Sequence, residues 1–172
     1  MKELKEEIAI KKVGLNHLVE ISEFLVHCWK STYENVINDE YLSSMRTDYW
    51  VDFLYKKFQK KEIDCLIAEI DGEVKGVCIF GDSITEKFPD DGEIISLYVL
   101  PEYNGKGMGH QLFTLALSEL KEKGFQSSIV CVFNANLKAT QFYKNHGFVA
   151  MLENEIITMG KQEMSYSVLR KE

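Results

Sequence analysis

Apolar and polar residues alternate over residues 7–13, where Ile8, Ile10 and Val13 take the spacing of a first strand. Asn16 follows as a candidate N-cap, and Leu18, Ile21, Leu25 and Cys28 then recur at helical spacing. A second helical region covers residues 39–60 and carries Tyr41, Leu42, Met45, Tyr49, Trp50, Phe53, Leu54 and Phe58, with a break near Arg46 and Thr47. The pattern then changes. "CLIAEIDGEVKGVCIFG" holds two β-type runs around Asp71-Gly72, a strong hairpin signal, and "GEIISLYVL" reads as a further strand. Met108, Leu112, Ala116 and Leu120, flanked by Phe113 and Leu117, form a helical stripe that ends near Gly124. "SIVCVF" is an unbroken apolar run, as expected of a strand covered on both faces. "NANLKATQFYKNHGF" reads as a helix capped by Asn134 or Asn136 and closed by Gly147, and residues 149–152 and 164–169 read as two last strands. Antiparallel hairpins followed by a β-α-β unit predict an α/β domain built on a mixed sheet.

The 172 residues suffice for one hydrophobic core, and no repeat or low-complexity tract interrupts them, so residues 1–172 are expected to form a single domain. No apolar run approaches 18 residues, which predicts no membrane span. The start, "MKELKEEIAI", is charged and lacks an apolar signal core, so the expected location is cytoplasmic. Cys28, Cys65, Cys78 and Cys131 have neither disulfide-framework nor zinc spacing and read as reduced, buried thiols. His17, His27, His110 and His146 also lack metal spacing, and no metal is expected. The net charge of -7 argues against a nucleic-acid surface and is compatible with a cationic substrate.

Chemistry concentrates at Asn104-Gly105-Lys106-Gly107-Met108-Gly109, where a strand hands over to a helix. Helix N-termini expose unpaired amides and a partial positive charge, and glycines let a ligand approach the backbone. A plain tight turn would need one or two glycines; three alternating ones with a lysine point to phosphate. A mononucleotide P-loop is excluded because His110-Gln111 stand where Lys-Ser/Thr would be required. A dinucleotide fingerprint is excluded because the third glycine comes one residue early and no acid ends the next strand, "VCVFN".

The loop is similar to the Q/R-x-x-G-x-G/A phosphate signature of the GNAT-type N-acetyltransferases, with Asn104 in place of Gln or Arg. That departure touches one side-chain contact and leaves the amide cradle. A second block, Asn136-x-x-Ala139-x-x-Phe142-Tyr143-x-x-x-Gly147-Phe148, resembles the family's closing motif, and the two together span residues 93–148. The resemblance implies a GNAT-like domain, a central, mostly antiparallel mixed sheet flanked by about four helices. It implies acetyl-CoA as co-substrate, bound by Asn104, Gly105, Lys106, Gly107, Met108, Gly109 and Asn136, with His110 in reach of a phosphate. "LYVLPEY" resembles the family's fourth strand, so Leu97, Tyr98 and Val99 are expected to pair with the pantetheine arm, the Val99 amide serving as oxyanion donor.

The same resemblance casts Tyr143 as the acid that protonates the leaving thiolate; the competing reading is a core aromatic beside Phe142. Glu93 matches a position where some members carry a catalytic glutamate, against a plain solvated strand-start residue, and ordered water could replace it. The fifth-strand glutamate of other members is absent, with Cys131 in its place. Asn136 can cap a helix and contact coenzyme A together, and His146 reads as a cap. Trp29 and Tyr33, near Glu34, Asp39 and Glu40, suit a small cationic amine of polyamine type through cation–π and ion pairing. They equally suit packing between two helices. The expected activity is N-acetylation of a primary amine, with a homodimer as the candidate assembly. A non-catalytic acyl-CoA-binding sensor is the alternative.

Overall fold

The structure is a computed structural model that describes residues 7–172; of the charged N-terminal stretch, residues 1–6 lie outside the described part. Its strands are β1 (Ala9–Val13), β2 (Ile63–Ile70), β3 (Glu73–Asp82), β4 (Gly92–Val99), β5 (Ser128–Phe133), β6 (Val149–Met159) and β7 (Gln162–Lys171). They form one sheet in the order β1-β2-β3-β4-β5-β7-β6, antiparallel throughout except between β4 and β5. The helices are α1 (Leu18–Thr32), α2 (Asp39–Ser44), α3 (Val51–Gln59), α4 (Met108–Glu122) and α5 (Leu137–Asn145). The expected mixed α/β architecture is present, with five helices because the 39–60 region divides. None of these helices is long and apolar enough to cross a membrane.

Local chemistry explains most of the elements. Asp71 and Gly72 both take positive φ (52° and 78°), the two-residue turn whose twist suits the β2–β3 hairpin. Asn38 starts α2 by accepting from the amides of Glu40 (2.9 Å) and Tyr41 (3.3 Å). Between α2 and α3 the buried Ser22 of α1 donates to the Thr47 carbonyl (2.7 Å) and accepts from the Trp50 amide (3.0 Å). The break near Thr47 is thus held from another helix. Asn16 does not cap α1. The His17 amide bonds back to the Gly14 carbonyl (2.9 Å), which winds Leu15–His17 into a 3-10 turn and leaves His17 in the cap position.

Two layers cover the sheet. α4 packs Met108, Leu112, Phe113, Ala116 and Leu120 against Leu66, Cys78, Phe80 and Ile94 on one face. On the other, Ile21, Leu25 and Leu54 of α1 and α3 meet Cys65, Ile67, Val77 and Ile79. The departure from regularity lies at the centre. β4 and β5 pair only at Gly92↔Ser128 and Glu93↔Ile129, after which they part. The closed end is pinned by Asp91, which accepts from Arg170 Nε (2.9 Å) and Nη2 (3.1 Å). Burial opposes the Asp91 charge, but the guanidinium fork and Ser127 hold its carboxyl below the usual range. Cys131 corrects two expectations: Cys28, Cys65 and Cys78 are buried, but Cys131 is exposed and β5 is not covered on both faces. The parting of the strands uncovers it.

Candidate active site

The phosphate loop is built by backbone geometry. Gly105 (φ 75°) and Gly107 (φ 87°) sit in the left-handed region, and Gly107 is the N-cap of α4 with no side chain capping it. Gly109 is helical; a Cβ there would meet Val99 Cγ2 at an ordinary 3.6 Å, so its role is room rather than conformation. Among the described residues, no amide from residue 105 to residue 110 donates a well-formed hydrogen bond, the first that does being Gln111 to the Gly107 carbonyl (3.0 Å). Six successive N–H groups without a well-formed partner, at a helix N-terminus with no acidic side chain in its first turn, suit an anion. Lys106 rests over the Tyr103 ring, 4.9 Å from its centroid, and Asn104 is exposed. These residues suit a polyphosphate group.

Helix α5 brings the second block to the same opening. Asn136 accepts from the Ala139 amide through Oδ1 (3.1 Å), so it is a cap, with Nδ2 left without a partner among the described residues. Tyr143 is 6% exposed, packed on Phe113 (ring centroids 5.5 Å) and Phe148 (6.2 Å). Its hydroxyl makes no hydrogen bond among the described residues. Burial pushes the Tyr143 phenol well above its ordinary range, with Cys78 and Tyr33 nearby adding to the shift, so it stays protonated. Tyr98 is raised in the same way, first by burial and then by Tyr33. The hydroxyls of Tyr33 and Tyr98 lie 3.4 Å apart, which joins α1 to β4.

On the side facing α1 and α3 the parting of β4 and β5 opens a cleft of about 590 Å³. Trp29, Tyr33, Trp50, Tyr98 and Phe133 line it, with Glu93 and Cys131 among its few polar groups. Tyr143, Asn136 and the glycine loop are not part of that lining. Trp29 and Tyr33 pack edge to face (5.0 Å), meet Phe133 (6.0 and 5.3 Å) and also face the cleft. Glu34, Asp39 and Glu40 are exposed and line no part of it; its carboxylates are Glu86 and Glu93.

Glu93 is 3% exposed, which excludes the solvated strand-start reading. Its Oε2 accepts from Ser83 Oγ (3.0 Å) and the amides of Ile84 (2.8 Å) and Thr85 (3.1 Å), while Oε1 accepts from Thr85 Oγ1 (3.1 Å). Burial pushes the carboxyl up and the four donors pull it down, leaving it raised. Thr85 Oγ1 also lies 3.2 Å from Cys131 Sγ, and the low-dielectric walls push that thiol up to about 11, away from reactivity. Residues 83–85 carried no signal in the sequence, and nothing there linked Tyr33 to Tyr98.

A glycine loop suited to anions, a parallel strand pair that parts after two residues and a buried, protonated tyrosine in the α4 layer are compatible with acyl transfer. The family model described as "Acetyltransferase (GNAT) family" matches residues 23–148. The chain belongs to the GNAT family of N-acetyltransferases. It is 26% identical over 147 residues to the spermidine N(1)-acetyltransferase of Thermoplasma acidophilum, covering 82% of this chain and 88% of that one. It is 27% identical over 131 residues, 75% of this chain and 73% of the relative, to the uncharacterized N-acetyltransferase YuaI of Bacillus subtilis. The crystal structure of the PaiA N-acetyltransferase from Thermoplasma acidophilum, in complex with coenzyme A, superposes with a TM-score of 0.74 at 24% identity, covering 96% of this chain and 99% of that one. This GNAT chain is therefore an acyltransferase by class, with acetyl-CoA as the family's donor.

Proposed function

We propose that the protein moves an acetyl group from acetyl-CoA to the primary amine of a small cationic acceptor by direct attack. The observation that carries this reading is the row of amides at residues 105–110 without well-formed partners, beside a β4 edge that, among the described residues, pairs with β5 only as far as Glu93. Bound acetyl-CoA supplies an activated thioester. The amides of residues 105–110 and Lys106 hold the phosphates, Asn136 Nδ2 remains to bind the arm, and the free edge at Leu97, Tyr98 and Val99 offers backbone pairing, the Val99 amide facing developing oxyanion charge. As the amine nitrogen bonds to the acetyl carbon and the carbon–sulfur bond breaks, Tyr143 gives its proton to the departing thiolate. Its elevated pKa keeps that proton in place until then.

Glu93 is the base on the acceptor side, receiving the ammonium proton through water in the cleft. Its Oε1 has one donor and room for another. The aromatic wall of Trp29, Tyr33 and Phe133 with this buried carboxylate suits a polyamine-like amine, a reading supported by the relative named for spermidine. A thiol-release assay with acetyl-CoA against an amine panel, run beside calorimetry with CoA, tests it. Binding of CoA with turnover of di- or polyamines is the expected result. Binding without turnover of any amine would favour an acyl-CoA sensor.

A further inference from the structure

A pair of histidines that acetyl transfer itself does not use joins α4 to α5. His110 Nδ1 lies 2.8 Å from His146 Nε2, and His146 Nδ1 lies 2.7 Å from the Phe142 carbonyl oxygen. A carbonyl oxygen only accepts, so His146 carries hydrogen on Nδ1. A neutral His146 then presents a lone pair at Nε2, and His110 donates to it from Nδ1. The one open nitrogen of the neutral pair is His110 Nε2. His146 is half-buried, stacked on Phe142 (ring centroids 4.3 Å) and edge-on to Phe113 (5.0 Å), whereas His110 is exposed.

One added proton enters this arrangement without breaking either bond. It sits on His110, or shifts across the contact to His146, and in both cases His110 Nε2 bears hydrogen. A second proton would put hydrogen on both atoms of the 2.8 Å contact and break it. Lys106 in the loop and Lys144 on α5 belong to the elements that carry the pair, and Lys171 on β7 reaches the end of α5, where its Nζ would lie 3.7 Å from a Cβ on Gly147; the acids Glu119 and Glu122 stand toward the far end of α4. Among the described residues no carboxylate lies within 4.0 Å of either ring. His110 is the third residue of α4, inside the row of unpaired amides, and helical side chains lean toward the N-terminus, here toward the loop. Imidazole is also the side chain that ordinarily changes charge near neutral pH.

Resting on the coenzyme-binding reading above, we propose that the His110–His146 pair is a proton-linked anion contact. It takes up one proton as the phosphates of CoA settle on residues 105–110, and His110 Nε2–H then donates to them.

Calorimetric titration of the full chain with CoA at pH 7, in buffers of different ionisation enthalpy, reads the protons taken up. Uptake of roughly 0.3–0.8 proton is expected, within the range where an imidazole titrates. His110→Gln, on an exposed side chain, should abolish it and lower CoA affinity about 3–10-fold at pH 6 with little change at pH 8.5. Dephospho-CoA in a parallel arm removes protons carried by the coenzyme's own terminal phosphate. Buffer-independent heats in the wild type, or equal uptake in His110→Gln, would overturn the proton link while leaving the coenzyme site standing. If CoA does not bind the wild type at all, the coenzyme reading fails and this proposal with it.

Discussion

Glu93→Gln distinguishes a chemical group from a brace for the loop that precedes β4. Three donors converge on Oε2, and a glutamine carbonyl oxygen in that place keeps all three. The amide nitrogen, in the place of Oε1, then donates to Thr85 Oγ1, whose own hydrogen turns toward Cys131 Sγ at 3.2 Å. No donor is stranded. Charge assistance is lost from the four bonds, but the cost of burying a carboxylate disappears too, so stability should change by no more than about 1–2 kcal/mol. Glu93→Ala is harsher because it leaves the Ile84 amide without an acceptor, at about 1–3 kcal/mol where water is excluded, while the Thr85 amide keeps Ser83 Oγ (3.1 Å). The cost is smaller here, since Ile84 is 43% exposed.

Activity should separate the two roles. A lost general base lowers kcat/KM by about 100-fold or more, with CoA affinity unchanged, in a Gln variant that melts near the wild type. The pH dependence adds a second check. A carboxyl whose folded pKa lies above its unfolded value near 4.5 stabilises the fold fully below that value, and the contribution is lost as pH rises through the folded pKa. The wild type should therefore lose stability relative to Glu93→Gln as pH climbs above about 4.5, and only the wild type should show the matching acid limb in kcat/KM. Wild-type kcat/KM and an unchanged pH profile in a folded Gln variant would reduce Glu93 to a brace.

Tyr143→Phe removes a hydroxyl without a protein partner, so melting temperature and CoA affinity should hold while kcat falls roughly 10–1000-fold; unchanged turnover with chemistry rate-limiting would make it a packing residue. Gly107→Val puts a β-branched side chain at φ 87°, costing about 1–2 kcal/mol in the turn and crowding the amides. CoA affinity measured by calorimetry should drop at least about tenfold in the folded variant, since about 1.4 kcal/mol already corresponds to that factor. Tyr33→Phe keeps the buried ring but deletes the contact to Tyr98, and should raise the acceptor KM without altering CoA binding. For a di- or polyamine that KM should also rise with salt, and a salt-indifferent KM would remove the case for a cationic acceptor.

What the sequence made legible was local. Asp71-Gly72 and the alternating glycines are written in residue types that few other backbone conformations require, and Asn136 caps within three residues of its own position. What it hid depends on chain segments far apart. Ser22 holds the break at Thr47 from 25 residues away, and Tyr33 reaches Tyr98 across 65. The solvated reading of Glu93 competes with the catalytic one in the sequence because its partners lie in an irregular loop whose polar residues have no periodicity. β6 was read as only four residues because bulges after Ala150 and Leu152 break its alternation and most of its side chains are exposed. Cys131 was misplaced for a different reason. An apolar run shows that a strand is central but not that its neighbour leaves it partway.

That departure organises the site. β4 sends Ile94, Leu97 and Val99 toward the α4 layer and Ile95 and Tyr98 toward the layer of α1 and α3, so it is packed on both faces. Past Glu93 its edge toward β5 has no strand partner, a row of backbone donors and acceptors inside the sheet rather than at its rim. Unpaired edges are costly when sealed and invite a strand when open. An arm carrying amides of its own, anchored by phosphates at residues 105–110, can satisfy that edge from the α4 side. The cleft on the side of α1, between Trp29, Tyr33 and Phe133, reaches the same gap. Under the proposed function, donor and acceptor would approach one strand from opposite layers and meet where β4 has parted from β5. Tyr143 packs in the α4 layer and Glu93 opens into the cleft on the α1 side, so the proposed acid and base would stay apart until both substrates joined them.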